Sequence, residues 1–238
     1  MSYFGWLFEP ANWTGSGGVP ARLVEHLGYV ALAMIIALVI ALPVGAWVGH
    51  TGRGGFLVVG SANALRALPT LGVLILLVAP FGLSIIGPLI ALVVLAIPPL
   101  LAGTYAGLRN VDPAVVDAAH GMGMRGPEVL WRVELPNALP LIIGGVRSAV
   151  LQVISTATIA AYVGLGGLGR FIFDGLAQRD FPQMIGGSLL VALLAIIVDL
   201  LLAALQKLIV SPGLQVVPSG ARRLRAVPAT RPAAARAA

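Results

Sequence analysis

From Leu27 to Gly49 the chain runs 23 residues without one charged side chain. A helix rises 1.5 Å per residue, so this stretch is about 35 Å long. That exceeds the roughly 30 Å of hydrocarbon in a bilayer. Comparable apolar runs follow at 56–80, 85–107, 140–163 and 182–205. In lipid every backbone polar group must be satisfied internally, so spans are helices or closed barrels. Runs of this length predict an all-α integral membrane protein with about five transmembrane helices. Composition agrees. Only 10% of the 238 residues are charged, against about 25% in soluble domains. So few charges cannot cover a water-facing globule, which excludes an ordinary soluble enzyme and a disordered chain.

The second run is the least regular, because Arg66 and Pro69 interrupt it. Pro69 is expected to kink it or split it into a re-entrant pair. The first 26 residues open without a basic n-region, and the run after them is too long for a signal peptide. They are read as an extracytoplasmic N-terminal segment. Residues 208–238, rich in Pro, Ala and Arg, are read as a disordered basic tail. Trp6, Trp13 and Trp47 are candidate interface anchors.

Lys and Arg in the connections set orientation. Arg53, then Arg109, Arg125 and Arg132, then Lys207, Arg222, Arg223, Arg225, Arg231 and Arg236 fall on one side of a five-span chain. Arg22, Arg170 and Arg179 fall on the other. This split predicts a cell-membrane protein with its N-terminus outside, and segment 108–139 and the C-terminus in the cytoplasm. The basic tail then faces anionic lipid or marks the cytoplasmic side, and no nucleic-acid partner is expected.

Several chemistries drop out. There is no cysteine, and His26, His50 and His120 lie far apart, so no metal site is expected. A P-loop needs G-K-[ST], and the single lysine, Lys207, is flanked by Gln206 and Leu208. No G-x-S-x-G elbow occurs. The chain is read as non-catalytic, with no cofactor of its own. Gly164, Gly166 and Gly169 fit G-x-G-x-x-G, but they follow a membrane run rather than a strand, so a flexible turn at the outer mouth is expected instead of a nucleotide site.

Segment 108–139 is the one long polar connection. Asp112 before Pro113 reads as N-cap and first helical residue. Val115, Ala118, Ala119 and Met122 then share a face. Gly121 and Gly123 end this helix, with φ > 0 expected at Gly123. Pro127 opens a second helix over 128–134, which is expected to stop before Pro136. The spacing predicts a bent helix–turn–helix outside the membrane, with small exposed residues Ala118 and Ala119 that let another surface approach.

Asp117-Ala118-Ala119, then Gly123, then Leu135-Pro136 resembles the EAA loop of ABC-importer permeases, with Asp117 in place of the family's Glu. Ala64-Leu65-Arg66-Ala67-Leu68-Pro69-Thr70-Leu71 is similar to the second-span signature of osmoprotectant permeases. So is Ala157-Thr158-Ile159-Ala160-Ala161 leading into the 164–169 glycines. The likeness covers roughly residues 20–210. It implies an ABC type-1 transmembrane domain over 27–207, coupled through Asp117, Ala118, Ala119, Gly123, Leu135 and Pro136 to a separate ATPase that holds ATP and Mg. It also implies a second permease, as homo- or heterodimer, and an extracytoplasmic solute-binding protein. The implied cargo is a compatible solute such as glycine betaine, choline, carnitine or proline. Methionine-type amino-acid permeases share the architecture, and a secondary transporter or a non-transporting scaffold are the rival classes. The 15 aromatic residues are dispersed, so an aromatic cage for a quaternary ammonium belongs in the binding protein rather than here.

Three charges lie inside the apolar runs: Arg66, Arg147 and Asp199. Each is a candidate for pairing or for the solute pathway. Arg147 and Asp199 have opposite sign and similar depth, about 11 Å from the cytoplasmic end of their runs. They are therefore expected to pair, with Arg66 as the competing partner. Gly45-x-x-x-Gly49 and Gly103-x-x-x-Gly107 are read as helix-packing spacings.

Overall fold

A computed structural model describes residues 4–82 and 84–210, with the side chains of Leu65 and Arg66 left aside. Among the described residues the secondary structure is entirely helical. Four helical stretches are long and apolar enough to cross a membrane: Val19–Thr51, Ile86–Arg109, Gly126–Val163 and Phe181–Ile209. The elements in chain order are α1 Gly5–Phe8, α2 Val19–Thr51, α3 Gly55–Ala67, α4 Thr70–Val78, α5 Ile86–Arg109, α6 Pro113–Gly121, α7 Gly126–Val129, α8 Leu135–Ala160, α9 Gly169–Gln178 and α10 Phe181–Ile209.

The helix bearing the first apolar run starts at Val19, eight residues before Leu27. Pro20 sits in its first turn, where a missing N–H is harmless. It closes at Gly52 in the left-handed region (φ 70), whose N–H bonds the Val48 carbonyl at 2.9 Å. The second run is split rather than kinked. Leu68 is extended (ψ 137), as a residue before proline tends to be, and Pro69 is extended too. The run therefore becomes α3 and α4, 13 and 9 residues long.

Helix α5 is the centre of the bundle, packed on α2 along one side and α8 along the other. Both small-residue spacings lie at these crossings. A methyl on Gly45 would sit 2.8 Å from Thr104 Cβ, and one on Gly49 2.8 Å from Leu108 Cβ. A methyl on Gly103 would sit 2.6 Å from the Cα of Gly145, and one on Gly107 2.9 Å from the Ala138 carbonyl. Close approach of this kind lets helices associate by packing where the solvent is as apolar as the side chains. The core between them is built from Ala33, Ala37, Ala41, Leu92, Ala96, Leu100, Ala149, Val153 and Ile154, all 5% exposed or less.

Helix α10 flanks the bundle and keeps most of its apolar surface outside it. The N-terminal α1 is tied to it. Trp6 stacks edge-on against Phe171 at 5.0 Å and lies over Gly186. Of the three tryptophans read as interface anchors, Trp6 is thus a core residue, while Trp13 and Trp47 are exposed. The tail beyond Val210 lies outside the described residues.

Candidate functional site

The 108–139 connection starts as its sequence dictates. Asp112 Oδ1 accepts from the Ala114 N–H at 2.9 Å, and Pro113 occupies the first helical position of α6. The helix unwinds at Met122, and Gly123 takes φ 86. The Met124 N–H reaches back to the Ala119 carbonyl at 3.2 Å, which reverses the chain. Pro127 lies in the first turn of α7.

Two expectations need correction. Asp117 and Ala118 are exposed, but Ala119 is 1% exposed. Helical periodicity puts both alanines on one face; in the fold, where α6 packs on the segment that follows it, Ala119 is covered and Ala118 is left outside. The second helix also does not stop before Pro136. It continues through a π-helical turn, Leu130–Glu134, into α8. In that wider turn the Leu135 N–H bonds the Leu130 carbonyl, five residues back. The shifted register absorbs the lack of an N–H at Pro136 that would break an α-helix. Leu135 and Pro136 are half-buried at the start of α8. They line an apolar cleft of about 440 Å³ with Leu42, Pro43, Thr104 and Ile142.

The exposed face of α6 and the turn after it thus present Asp117, Ala118, Val115 (44% exposed) and Met122 (72%). That is a small convex surface with one carboxylate and an apolar rim. Beneath it Asp117 shares a cleft of about 180 Å³ with Arg109 and Glu134. Glu134 is buried and contacts His50 at the end of α2, with Oε2 and Nδ1 2.5 Å apart. No sequence signal announces this pair, whose members are 84 residues apart.

A second feature arises where the second run breaks. Leu68 and Thr70 face Leu95, Pro98 and Pro99 of α5 and Ser148 and Gln152 of α8 across a cleft of about 400 Å³. Pro98 and Pro99 lack N–H groups, so the carbonyls of Val94 and Leu95 lose their helical partners there. Ser148 and Gln152 are one turn apart on the same side of α8. The described residues that line the cleft therefore offer hydroxyl, amide and carbonyl groups, with no formal charge or aromatic ring among them.

Arg147 and Asp199 are not among the residues that line that cleft. Arg147 donates from Nε and Nη2 to Asp199 Oδ1 at 3.0 and 2.8 Å, and from Nη1 to Gln206 Oε1 at 3.2 Å. Gln206 in turn donates to the Pro140 carbonyl at 3.3 Å. The pair thus forms within one chain and ties α8 to α10. The side chain of Arg66, the competing partner, lies outside the described residues.

The 164–169 glycines are closely packed rather than flexible. Gly164 and Gly167 have φ 96 and 85. A methyl on Gly166 would sit 2.5 Å from the Glu25 carboxylate. One on Gly167 would sit 2.9 Å from the buried His26, and one on Gly169 would strike the Thr158 carbonyl. The Gly167 N–H donates to Glu25 Oε2 at 2.9 Å, and Arg22 holds the same oxygen at 2.8 Å. Close approach to α2 requires glycine at 166 and 167, and close approach to the end of α8 requires it at 169, which a reading of the motif by itself could not reveal.

Comparison with known proteins supplies the family. Residues 38–211 match the family model described as binding-protein-dependent transport system inner membrane component. The glycine betaine/carnitine/choline transport system permease protein OpuCB of Bacillus subtilis (strain 168) is 33% identical over 202 residues, covering 85% of this chain and 93% of that one. The osmoprotectant import permease protein OsmW of Salmonella typhimurium is 32% identical over 205 residues, covering 84% and 95%. Among solved structures, an inward-facing form of the MetNI methionine ABC transporter superposes with TM-score 0.72 at 21% identity, over 85% of this chain and 99% of that one. That last likeness concerns the fold alone.

Proposed function

The chain belongs to the binding-protein-dependent transport system inner membrane component family, and from that premise we propose that it is the permease subunit of an ATP-driven importer for a small compatible solute of the glycine betaine, choline or carnitine type. The observation that carries this reading is the end-to-end similarity to osmoprotectant permeases. The likeness to the methionine transporter supplies no argument for an amino-acid cargo, because at 21% identity it speaks only for the fold.

The geometry fits such a subunit. The exposed surface of Asp117, Ala118, Val115 and Met122 serves as the docking face for a separate ATPase, which holds ATP and Mg, and the chain itself performs no chemistry. The basic residues around this end support a cytoplasmic location for it, with the N-terminus outside. The cleft between Leu68–Thr70, Pro98–Pro99 and Ser148–Gln152 takes the solute in transit. Its hydroxyls, amide and freed carbonyls can exchange with water around a small quaternary ammonium solute, while the lack of an aromatic cage among its lining residues keeps binding weak enough for release. Capture falls to an extracytoplasmic binding protein, and a second permease, identical or related, completes the path.

The test is reconstitution of the permease with its ATPase and binding protein in proteoliposomes, followed by uptake of labelled glycine betaine, choline, carnitine and methionine. ATP-dependent uptake of one of the first three supports the reading. Uptake of methionine alone moves the cargo to amino acids. Uptake driven by an ion gradient without ATP makes the chain a secondary transporter and rejects the reading.

A further inference from the structure

Between the docking face and the transport helices there must be a connection stiff enough to carry a displacement, and the structure offers one specific polar contact for it. Glu134 is 7% exposed and projects from the π-helical turn that joins the cytoplasmic connection to α8. A π-turn inside a helix is uncommon and recurs at functional positions. Its partner is His50, in the last turn of α2, with Nδ1 2.5 Å from Oε2. On its other edge His50 faces the start of α7, since a methyl on Gly126 would lie 3.5 Å from Nε2. One imidazole therefore bonds Glu134 and faces Gly126, the two ends of the 126–134 segment on which α6 rests. The cleft beside it is lined by Gly49, Arg109, Asp117 and Glu134, which brings the exposed carboxylate of the docking face next to the buried one.

We infer that His50 and Glu134 are positioning residues for energy coupling: their contact makes the docking connection and α2 move as one body. This inference rests on the reading of the chain as an ATP-driven permease. Apolar packing at this end slides. Leu108, Ala138 and Ile142 form a small separate cluster, and dispersion contacts are non-directional. A hydrogen-bonded carboxylate–imidazole pair fixes both distance and direction. A buried carboxylate that lost its partner would seek another rather than stay unpaired, so the contact resists separation when the loop is pulled. The pull then reaches α2, which spans the bundle and at its other end holds the 164–169 turn through Glu25 and the Gly167 N–H. A displacement of the docking face is thereby delivered to the turn at the far end of α2.

The experiment uses the complete transporter in proteoliposomes and reads ATP hydrolysed and solute accumulated in the same vesicles. His50→Ala and Glu134→Ala are expected to assemble with the ATPase at the wild-type ratio and to hydrolyse ATP at a comparable rate. Solute moved per ATP is expected to fall at least tenfold. His50→Gln combined with Glu134→Gln keeps a neutral hydrogen bond of similar reach and is expected to restore much of the ratio; it also serves if Glu134→Ala fails to insert. An unchanged ratio in the alanine variants overturns the inference. So does a parallel fall of hydrolysis and uptake that tracks lost protein, which would make the pair merely structural. If the wild-type complex shows no ATP-dependent uptake at all, the proposed function itself fails, and the coupling role falls with it.

Discussion

The Arg147–Asp199 pair permits a prediction with a sign as well as a size. The two side chains are 30% and 33% exposed in the single chain, between a buried pair and a surface one. What surrounds Asp199, however, is apolar: Ile196, Ile197, Leu200 and Leu201 of α10 are all more than 40% exposed. Asp199 lies ten residues before the end of α10 at Ile209, about 15 Å from it. Arg147→Ala therefore leaves a short carboxylate deep in hydrocarbon. Insertion scales put that at about 2.5–3.5 kcal/mol. Asp199→Ala is milder. Arg147 keeps its bond to Gln206, two turns nearer the helix end, and its long side chain can follow toward the headgroups. The loss is then one charge-assisted contact, about 1.5–3 kcal/mol. At about 2–4 °C per kcal/mol for a chain of this size, Arg147→Ala should lower the midpoint of thermal unfolding in nanodiscs by roughly 5–14 °C, and Asp199→Ala by less. The double variant should regain part of the loss, with a coupling of about 1–3 kcal/mol. Strictly additive losses would refute the pairing, and Asp199→Ala proving the more damaging single change would refute the argument from depth.

Adjacent glycines on α8 make a matched test of the α5–α8 crossing. A methyl on Gly145 would lie 2.9 Å from the Gly103 Cα and the Pro99 carbonyl, whereas one on Gly144 meets nothing within 4 Å. Gly145→Ala should destabilise by about 1–3 kcal/mol and Gly144→Ala should stabilise by up to about 1 kcal/mol; equal midpoints in a thermal melt would reject the packing. Gly123→Val forces a branched residue into φ 86, at about 1–3 kcal/mol of local strain, and should cut uptake and ATPase docking while insertion stays normal; wild-type uptake would remove Gly123 from the docking element. A cysteine at position 125, unique in a chain without native cysteine, should react with an impermeant reagent only from the cytoplasmic side, and labelling from outside would reverse the proposed orientation.

The long elements are legible in the sequence because their cause is local. Uncharged runs, the Asp112–Pro113 helix start and the Gly45/Gly49 and Gly103/Gly107 spacings act through neighbours in sequence or through one simple requirement, closeness. Relative depth is legible too, and it points to Arg147 with Asp199. What stays hidden depends on chain return. Nothing in the period of α6 decides that Ala118 faces out and Ala119 in, since that follows from how α6 packs on the segment after it. The glycine turn looks mobile in sequence because the reason for Gly166 and Gly167, the Glu25 and His26 side chains of α2, lies about 140 residues away. His50 and Glu134 are ordinary residues in ordinary positions until the fold joins them. The stop expected before Pro136 does not occur for a different reason: the rule assumes α-helical register, and one π-turn removes that assumption.

Prolines show why the broken second span and the centre of α5 belong to one feature. Pro43 and Pro140 are carried inside long helices, and Pro136 is absorbed by the π-turn. At Pro69 the chain instead leaves the helix for two residues, which in hydrocarbon would strand backbone polar groups at several kcal/mol each. Non-helical backbone survives at that depth only where it is buried in protein or lines a polar cavity. The break faces Pro98 and Pro99, which release two further carbonyls, and Ser148 and Gln152 complete the wall. Backbone freed by proline and uncharged polar side chains thus gather on one cleft, while Arg147 and Asp199 are turned to each other on α8 and α10. The break in the second run and the paired prolines of α5 are thus two sides of one polar cleft.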